Sequence, residues 1–378
     1  MHKVLILGGG FGGLTAAQAL KAKLGDDVEI TLVDRRSYFM VGFRKTWALT
    51  GQSTLEEGQR PLVALEKIGV QVIKGNITAI DPKAHSAVVD GQNFEADALI
   101  VALGAQLAPE AIPGFEEYAI NVYDPAIISQ AALTLQNFPG GRVVVGIFGE
   151  AYKCPPAPYE IALAVNELFR NRSIQAQIEV FTPKPMTLPI LGEAGCAIIE
   201  SRLEDEGISF LPNHSADIVE EGQVIFKTGS RSFDLLLGIP PHRCPQVIVD
   251  SGLADGQPWV PVDPRSLQSR FSDVYAIGDN SKIMMANGKR LPMAGVFAEA
   301  QGKVAAEHIA AAFQGRQATE FFEGKGGCFL EIGKGEAMMV EGEFLAQPAP
   351  LVTLTDPSPE YFAQKHAVER DLLSALES

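Results

Sequence analysis

Lys3-Val4-Leu5-Ile6-Leu7-Gly8-Gly9-Gly10-Phe11-Gly12-Gly13 decides the fold of this chain. An apolar strand runs straight into a glycine triplet at Gly8, Gly10 and Gly13, the spacing that lets a backbone turn sharply, approach a pyrophosphate and open a helix packed on the sheet. Phe11 and Gly12 lie inside the same turn and are expected at the cofactor. The helix is predicted from Leu14 to Lys23, with its N-terminal amides aimed at the phosphates. A second strand, Val28-Glu29-Ile30-Thr31-Leu32-Val33, ends in Asp34, about 20 residues beyond the last glycine, where a carboxylate holds the ribose hydroxyls of a bound adenosine. Arg35 and Arg36 follow. They leave a phosphate-bearing cofactor open, although arginines at a strand end are commonly just solvated.

Composition narrows the function classes. The 378 residues carry 46 acids against 31 lysines and arginines, a net charge of −15, so no nucleic-acid partner is expected, because phosphate backbones bind to basic surfaces. No run is as long as a membrane span, and a first strand already under way at Lys3 predicts that no signal peptide precedes it. A cytoplasmic enzyme is expected. Its length predicts two or three domains of about 100–200 residues each. Four cysteines, Cys154, Cys196, Cys244 and Cys328, are too few and too scattered for a disulfide framework and contain no C-x-x-C pair. In a reducing compartment a functional pair would cycle in redox chemistry. Six histidines without ligand spacing predict no metal.

Strands and helices alternate along the chain, which reads as α/β. Residues 70–89 look like a β-meander inserted in the first nucleotide domain. They lead to Ala98-Leu99-Ile100-Val101-Ala102-Leu103-Gly104, whose glycine permits the backbone at Ala102 and Gly104 to approach a cofactor. Arg142-Val143-Val144-Val145-Gly146-Ile147-Phe148-Gly149 begins like a second βαβ unit. There the nucleotide logic fails. Lys153-Cys154-Pro155-Pro156 stands where a third glycine would open the helix, and the next strand, 177–182, ends in Thr182 instead of an acid. The chain returns to the first domain with Val274-Tyr275-Ala276-Ile277-Gly278-Asp279, an apolar strand ending in a carboxylate suited to the ribityl or phosphate part of a flavin cofactor. Met293, Ala294 and Gly295 then open a helix to Phe313 whose positive N-terminus would face the flavin ring.

Two Rossmann-like domains with parallel sheets and a small C-terminal α+β domain are therefore expected. Residues 1–112 and 255–322 would form the FAD-binding domain, 113–254 a second Rossmann-like domain carrying Cys154 with a degenerate nucleotide site, and 323–378 the C-terminal domain carrying Cys328. Cys154 follows Lys153 and precedes a helix start, a setting that favours thiolate; a buried, inert cysteine is the alternative. Cys328 lies in a strand pattern and alone reads as core. Cys196 reads as helix core. Glu160, on the helix after Cys154, is a base or an exposed acid. His242 is a proton carrier near neutral pH or a solvated loop residue.

In chain order, GGGFGG (8–13), VALGA (101–105), YKCPPAPYE (152–160), GIPPHRCP (238–245), VYAIGD (274–279), LPMAGVFAEAQGK (291–303) and GGCFLEIGKGEAMM (326–339) resemble the sulfide:quinone oxidoreductase and flavocytochrome c sulfide dehydrogenase family. The nucleotide motifs are widely shared; KCPPAPYE with a late GGCFLEIG is far more specific. The resemblance implies FAD, oxidation of sulfide or a persulfide through a redox pair of Cys154 and Cys328 with Glu160 nearby, quinone as electron acceptor, and a homodimer. It also places Cys244 near the flavin. In the implied cycle hydrosulfide opens a Cys154–Cys328 disulfide, leaving a persulfide on one cysteine and a thiolate on the other.

Three departures qualify the transfer. Relatives commonly carry a lysine where Met293 stands. Quinone-reducing relatives often have a further cysteine ahead of the KCPP segment, and none precedes Cys154. A flavocytochrome subunit would tether its flavin through a cysteine near residues 38–50, where this chain has none, so FAD is expected to be non-covalent. The tail, 359–378, shows an apolar face of Phe362, Val368, Leu372, Leu373 and Leu376, but its acids outnumber its bases, unlike an interfacial helix. Packing on its own domain or on a symmetry mate is expected, with peripheral contact to the cytoplasmic face of a membrane left open. The competing function is an NAD(P)H-dependent flavin reductase of quinone, ferredoxin or polysulfide.

Overall fold

The structure, a computed structural model, describes residues 1–377. Its first sheet has five parallel strands in the order Val274–Ala276, Ala98–Val101, His2–Leu7, Val28–Asp34, Val70–Lys74. Both faces of its central strand are covered: Val4, Leu5, Ile6 and Leu7 are buried without alternation, as expected of a parallel sheet wrapped by connections on each side. Helices Phe11–Leu24 and Gly295–Phe313 pack together so closely that a Cβ on Gly302 would stand 2.5 Å from the carbonyl oxygen of Gly12.

The meander expected over 70–89 is shifted. Val70–Lys74 is the fifth strand of the parallel sheet, and the antiparallel meander is Ile77–Asp81, Ser86–Val89 and Gln92–Glu95. As an edge strand, Val70–Lys74 buries Val70 and exposes Gln71, which gives it the alternation of a half-exposed antiparallel strand.

The second sheet repeats the theme with parallel strands Ile120–Asn121, Leu235–Ile239, Gly141–Ile147, Ala176–Phe181 and Ser209–Leu211. Helix Ala157–Asn171 connects its third and fourth strands. Before the chain rejoins the first sheet, Cys244, Ile248 and Leu253 already pack with Leu5, Val33 and Val274. The C-terminal unit is an antiparallel sheet of Lys325–Gly333, Glu336–Glu343 and Leu351–Leu354 followed by helix Pro359–Ser374. It bridges the two domains: Leu330 and Ile332 join the core of the second, Phe344 and Leu373 that of the first.

The tail helix does pack on its own protein, and of the apolar face expected for it Leu373 and Leu376 are buried, but the buried face also takes charged residues. Lys365, Glu369 and Leu373 point inward, while Val368 is 39% exposed. Charge was put inside because buried partners await it, as described below. Among the described residues no helix is long and apolar enough to cross a membrane.

Candidate active site

The glycine turn after the first strand is shaped by two different demands. At Gly13 a Cβ would stand 1.8 Å from the Gly8 carbonyl oxygen, and at Gly8, where φ is +109°, 2.4 Å from that of Ala102; these glycines close the turn on itself. At Gly10 a Cβ would meet nothing within 4 Å. That open side faces away from the protein's own packing. Asp34 is fixed by amides, its carboxylate accepting from Gly9 N (2.7 Å) and Arg36 N (2.8 Å). Arg35 is exposed beside it. Gly12 is pressed between Ile277 and Ala298, and Phe11 stacks edge-on to Phe39 and fills the space a side chain at Gly295 would need.

The opposite wall comes from the returning strand. Gly278 donates to Gln301 Oε1 (2.6 Å), Gly104 to Asn280 Oδ1 (3.1 Å), and Asn280 is fully buried. Gly278, Asp279, Arg290, Leu291 and Ala294 line one small cavity here. Burial raises the Asp279 carboxyl against the pull of Lys153 and Arg290. Neither helix that opens onto this region, Phe11–Leu24 or Gly295–Phe313, has a side-chain cap, so their first-turn amides are available to a ligand. The open cradle at Gly10, the two helix starts and the carboxylates of Asp34 and Asp279 fit a dinucleotide flavin. Met293 is buried and hydrophobic; the backbone of Lys153 bridges to it.

Cys154 sits at this junction in a left-handed conformation, φ +50°, which a side chain other than glycine adopts at a cost and keeps only where its surroundings enforce it. Three bonds do so. Cys154 N donates to Met293 O (2.8 Å), Ala157 N donates to Cys154 O (2.9 Å), and the Tyr123 hydroxyl donates to Lys153 O (2.9 Å). The strand Lys325–Gly333 lies along helix Ala157–Asn171 and brings Cys328 to Cys154, close enough for each thiol to shift the other's ionisation. The structure holds both as free thiols. The Cys328 hydrogen bond, aided by Lys365 and the Ala157 amide, lowers the Cys154 thiol against burial and Glu160; the same bond and burial push Cys328 well up. Cys154 is the sulfur that ionises first.

Glu160 is not an exposed acid: it is 2% exposed and both its oxygens are occupied. Oε1 takes the Lys365 ammonium at 2.6 Å and Oε2 the Glu331 amide at 3.1 Å. Burial and Glu331 raise its carboxyl while Lys365 pulls it down. Lys365, 1% exposed, also pairs with Glu331 Oε1 at 2.9 Å, which accepts from Trp47 Nε1 at 2.7 Å. His366 stacks on Trp47 at 4.0 Å, and Arg44 forms a bidentate pair with Glu369. The tail helix thus drives a charged plug beneath the cysteine pair.

The remaining candidates separate. Cys196 is core, its thiol donating to Leu188 O. Cys244 is 4% exposed among Ile248, Leu253 and Trp259, and burial pushes its thiol up to about 11; it is a packing residue. His242 is buried, not solvated, and burial together with Lys153 drives its imidazole down to about 3, so the ring is neutral near neutral pH and takes up no second proton there. Sequence reasoning missed Lys365, Glu331, Trp47 and Tyr123. A lone lysine on a polar tail gives no sign that it is buried.

The family model for the pyridine nucleotide-disulphide oxidoreductases matches residues 2–302. The chain is 24% identical over 366 residues to the mitochondrial sulfide:quinone oxidoreductase of Mus musculus, spanning 92% of this chain and 79% of that protein. It is 22% identical over 346 residues to a type II NADH:quinone oxidoreductase of Staphylococcus saprophyticus, spanning 84% of each. Among solved structures, the sulfide:quinone oxidoreductase of Aquifex aeolicus superposes with a TM-score of 0.89 at 22% identity, covering all of this chain and 91% of the other. At that identity the superposition establishes the fold.

Proposed function

The chain belongs to the pyridine nucleotide-disulphide oxidoreductase family and is a flavin-dependent oxidoreductase similar to the sulfide:quinone oxidoreductases; from that premise we propose that it oxidises sulfide to sulfur or polysulfide through Cys154 and Cys328. The observation that carries the reading is the meeting of these two thiols at a strained residue beside the glycine cradle. Relatives by name act on sulfide and quinone.

Gly8, Gly10, Gly12, Gly13 and Asp34 would hold the adenosine and pyrophosphate of FAD, and Gly104, Gly278, Asp279 and the Ala294–Gly295 helix start its remainder, without a covalent link. Bound there, FAD supplies the two-electron acceptor that passes electrons on to quinone. The sulfur chemistry belongs to the chain. Hydrosulfide attacks the oxidised pair, one S–S bond breaks and another forms, and the products are a cysteine persulfide and a cysteine thiolate. Cys154, lowered by its neighbours, is the better leaving thiolate; Cys328 would keep the sulfur until a second sulfur nucleophile removes it. Glu160 and Lys365 act beneath the pair as fixed charge, because neither has a free position from which to shuttle a proton.

The type II NADH:quinone oxidoreductase similarity keeps a nicotinamide-dependent reductase as the second reading. Against it, a Cβ at Gly149 in the second domain's turn would already stand 2.8 Å from Pro241, and Tyr152 is buried there. An anaerobic titration separates the two. Sulfide should bleach the flavin absorbance rapidly, with a long-wavelength band from a thiolate, and NADH or NADPH should not; bleaching by a nicotinamide alone overturns the proposal.

A further inference from the structure

His242 presents an acceptor with nothing to accept. It follows Pro240 and Pro241 at the end of the second sheet's Leu235–Ile239 strand and pairs with Gln106–Leu107. Its Nδ1 lies 2.9 Å from Pro240 O, and a carbonyl only accepts, so Nδ1 carries the proton and Nε2 of the neutral ring is a bare lone pair. That Nε2 is buried and has no partner among the described residues. An unmet buried acceptor is costly, of order 1–3 kcal/mol, and asks what donor belongs to it.

The surroundings narrow the answer. The His242 ring meets Tyr123 edge-on at 5.6 Å, and the Tyr123 hydroxyl holds Lys153 O at 2.9 Å and reaches Cys154 O at 3.5 Å. His242 is therefore one ring away from the backbone of the reactive cysteine. Lys45 and Lys153 both act electrostatically on His242, and Lys45 also on Cys154. Burial lowers both lysines, Lys45 to about 8 with Lys153 contributing, so an anion set against them would favour their charged forms, while the imidazole stays neutral. The wall beside Cys154 thus combines two lysines short of counter-charge with one bare acceptor. A ligand that satisfies both must be a small anion that is also a hydrogen-bond donor.

We propose that His242, Lys45 and Lys153 form the docking subsite for the hydrosulfide anion, whose S–H donates to His242 Nε2 while its charge lies against the two ammonium groups, ready to attack the Cys154–Cys328 pair. The subsite rests on the sulfide reading above. It distinguishes hydrosulfide from an organic thiolate, which brings the charge but no S–H.

Two measurements test it. In anaerobic stopped-flow reduction of the flavin-loaded protein, His242→Phe should raise the sulfide concentration at half-saturation about tenfold or more, with the loss falling there and not on the limiting rate, since one hydrogen bond to a charged partner is removed. His242→Gln, which keeps an acceptor in place of Nε2, should restore most of it; equal affinities in all three proteins overturn the role of His242. Independently of sulfide oxidation, Cys154 should be alkylated by iodoacetate faster relative to iodoacetamide in the parent than in Lys45→Met, by about tenfold for one lost cation at close range. An unchanged ratio overturns the cationic wall. If sulfide fails to bleach the parent flavin, the sulfide reading falls, and the alkylation ratio still decides whether an anion site stands beside Cys154.

Discussion

The two Rossmann-like domains share one device, a parallel strand that turns into a helix, and differ in what occupies the turn. In the first, the strand ends at Leu7 and the helix begins at Phe11, so only residues 8–10 lie between them, all glycine, and Gly10 has nothing against it. In the second, residues 148–156 separate strand from helix; Gly149 is pressed on Pro241, Tyr152 is buried, and Cys154 bends back in a left-handed conformation just before the helix. Each turn leads into a helix whose first amides lack a side-chain cap. An emptied turn admits a ligand's phosphates, whereas a filled one spends the same positive end on the protein's own sulfur. On the proposed reading the same topology serves a cofactor in one copy and a thiol in the other.

Glycine replacements break the comparison most sharply. Gly13→Val should give no folded protein, because even its Cβ would overlap the Gly8 carbonyl at 1.8 Å. Gly10→Val has free space within the protein and should fold, yet emerge colourless, since the branched side chain occupies the phosphate position. Circular dichroism with flavin absorbance reads both; a yellow Gly10→Val protein would place the pyrophosphate elsewhere. Next in size, Cys154→Ser should keep its flavin and lose flavin reduction by sulfide by about a thousandfold or more, as expected when a covalent nucleophile is removed. Full activity in that variant would remove the thiol from the mechanism.

What the sequence could tell follows the same division. The first turn was legible as a glycine run between strand and helix with an acid at the end of the next strand, although the helix begins at Phe11 and not at the predicted Leu14; the turn is tighter than the motif spacing alone implied. The second was legible only by its failure, a cysteine where a glycine was due. That Cys154 meets Cys328 came from resemblance, since no local pattern encodes a contact between a helix start and a distant strand. Burial of charge was invisible. Lys365, Glu369 and Leu373 form one helix face, but two of the three are charged, so amphipathicity found Leu373 and missed Lys365 and Glu369, while naming the exposed Val368. His242 misled for the opposite reason: a polar residue among prolines reads as loop, yet pairing with Gln106–Leu107 buries it.

The charged plug beneath the thiols gives an effect of similar scale but of another kind. Lys365→Met would leave Glu160 and Glu331 buried without their shared cation, a loss of about 3–5 kcal/mol by the cost of breaking a buried pair. Adding Glu160→Gln should recover part of it, because one of the stranded carboxylates becomes neutral and can still accept from the Glu331 amide. Thermal unfolding of the single and double variants measures this. No measurable loss in the single variant would mean that the helix is held by Arg44–Glu369 and apolar contacts, and equal losses in both would mean that Glu160 is not the stranded charge.

The smallest effect sharpens the opening contrast. Gly149→Ala in the second turn would bring a Cβ to 2.8 Å from Pro241 Cα and 3.1 Å from its Cβ, and backbone cannot yield as a flexible side chain can. The overpacking should cost about 1–3 kcal/mol of stability. Flavin content should not change, because this glycine answers to a proline and not to a phosphate. Gly10→Ala is its mirror: stability near the parent's, and weakened flavin retention. If the two alanines exchanged these outcomes, with Gly149→Ala losing flavin and Gly10→Ala losing stability, the second turn would be the nucleotide site and the assignment of the two domains would have to be reversed.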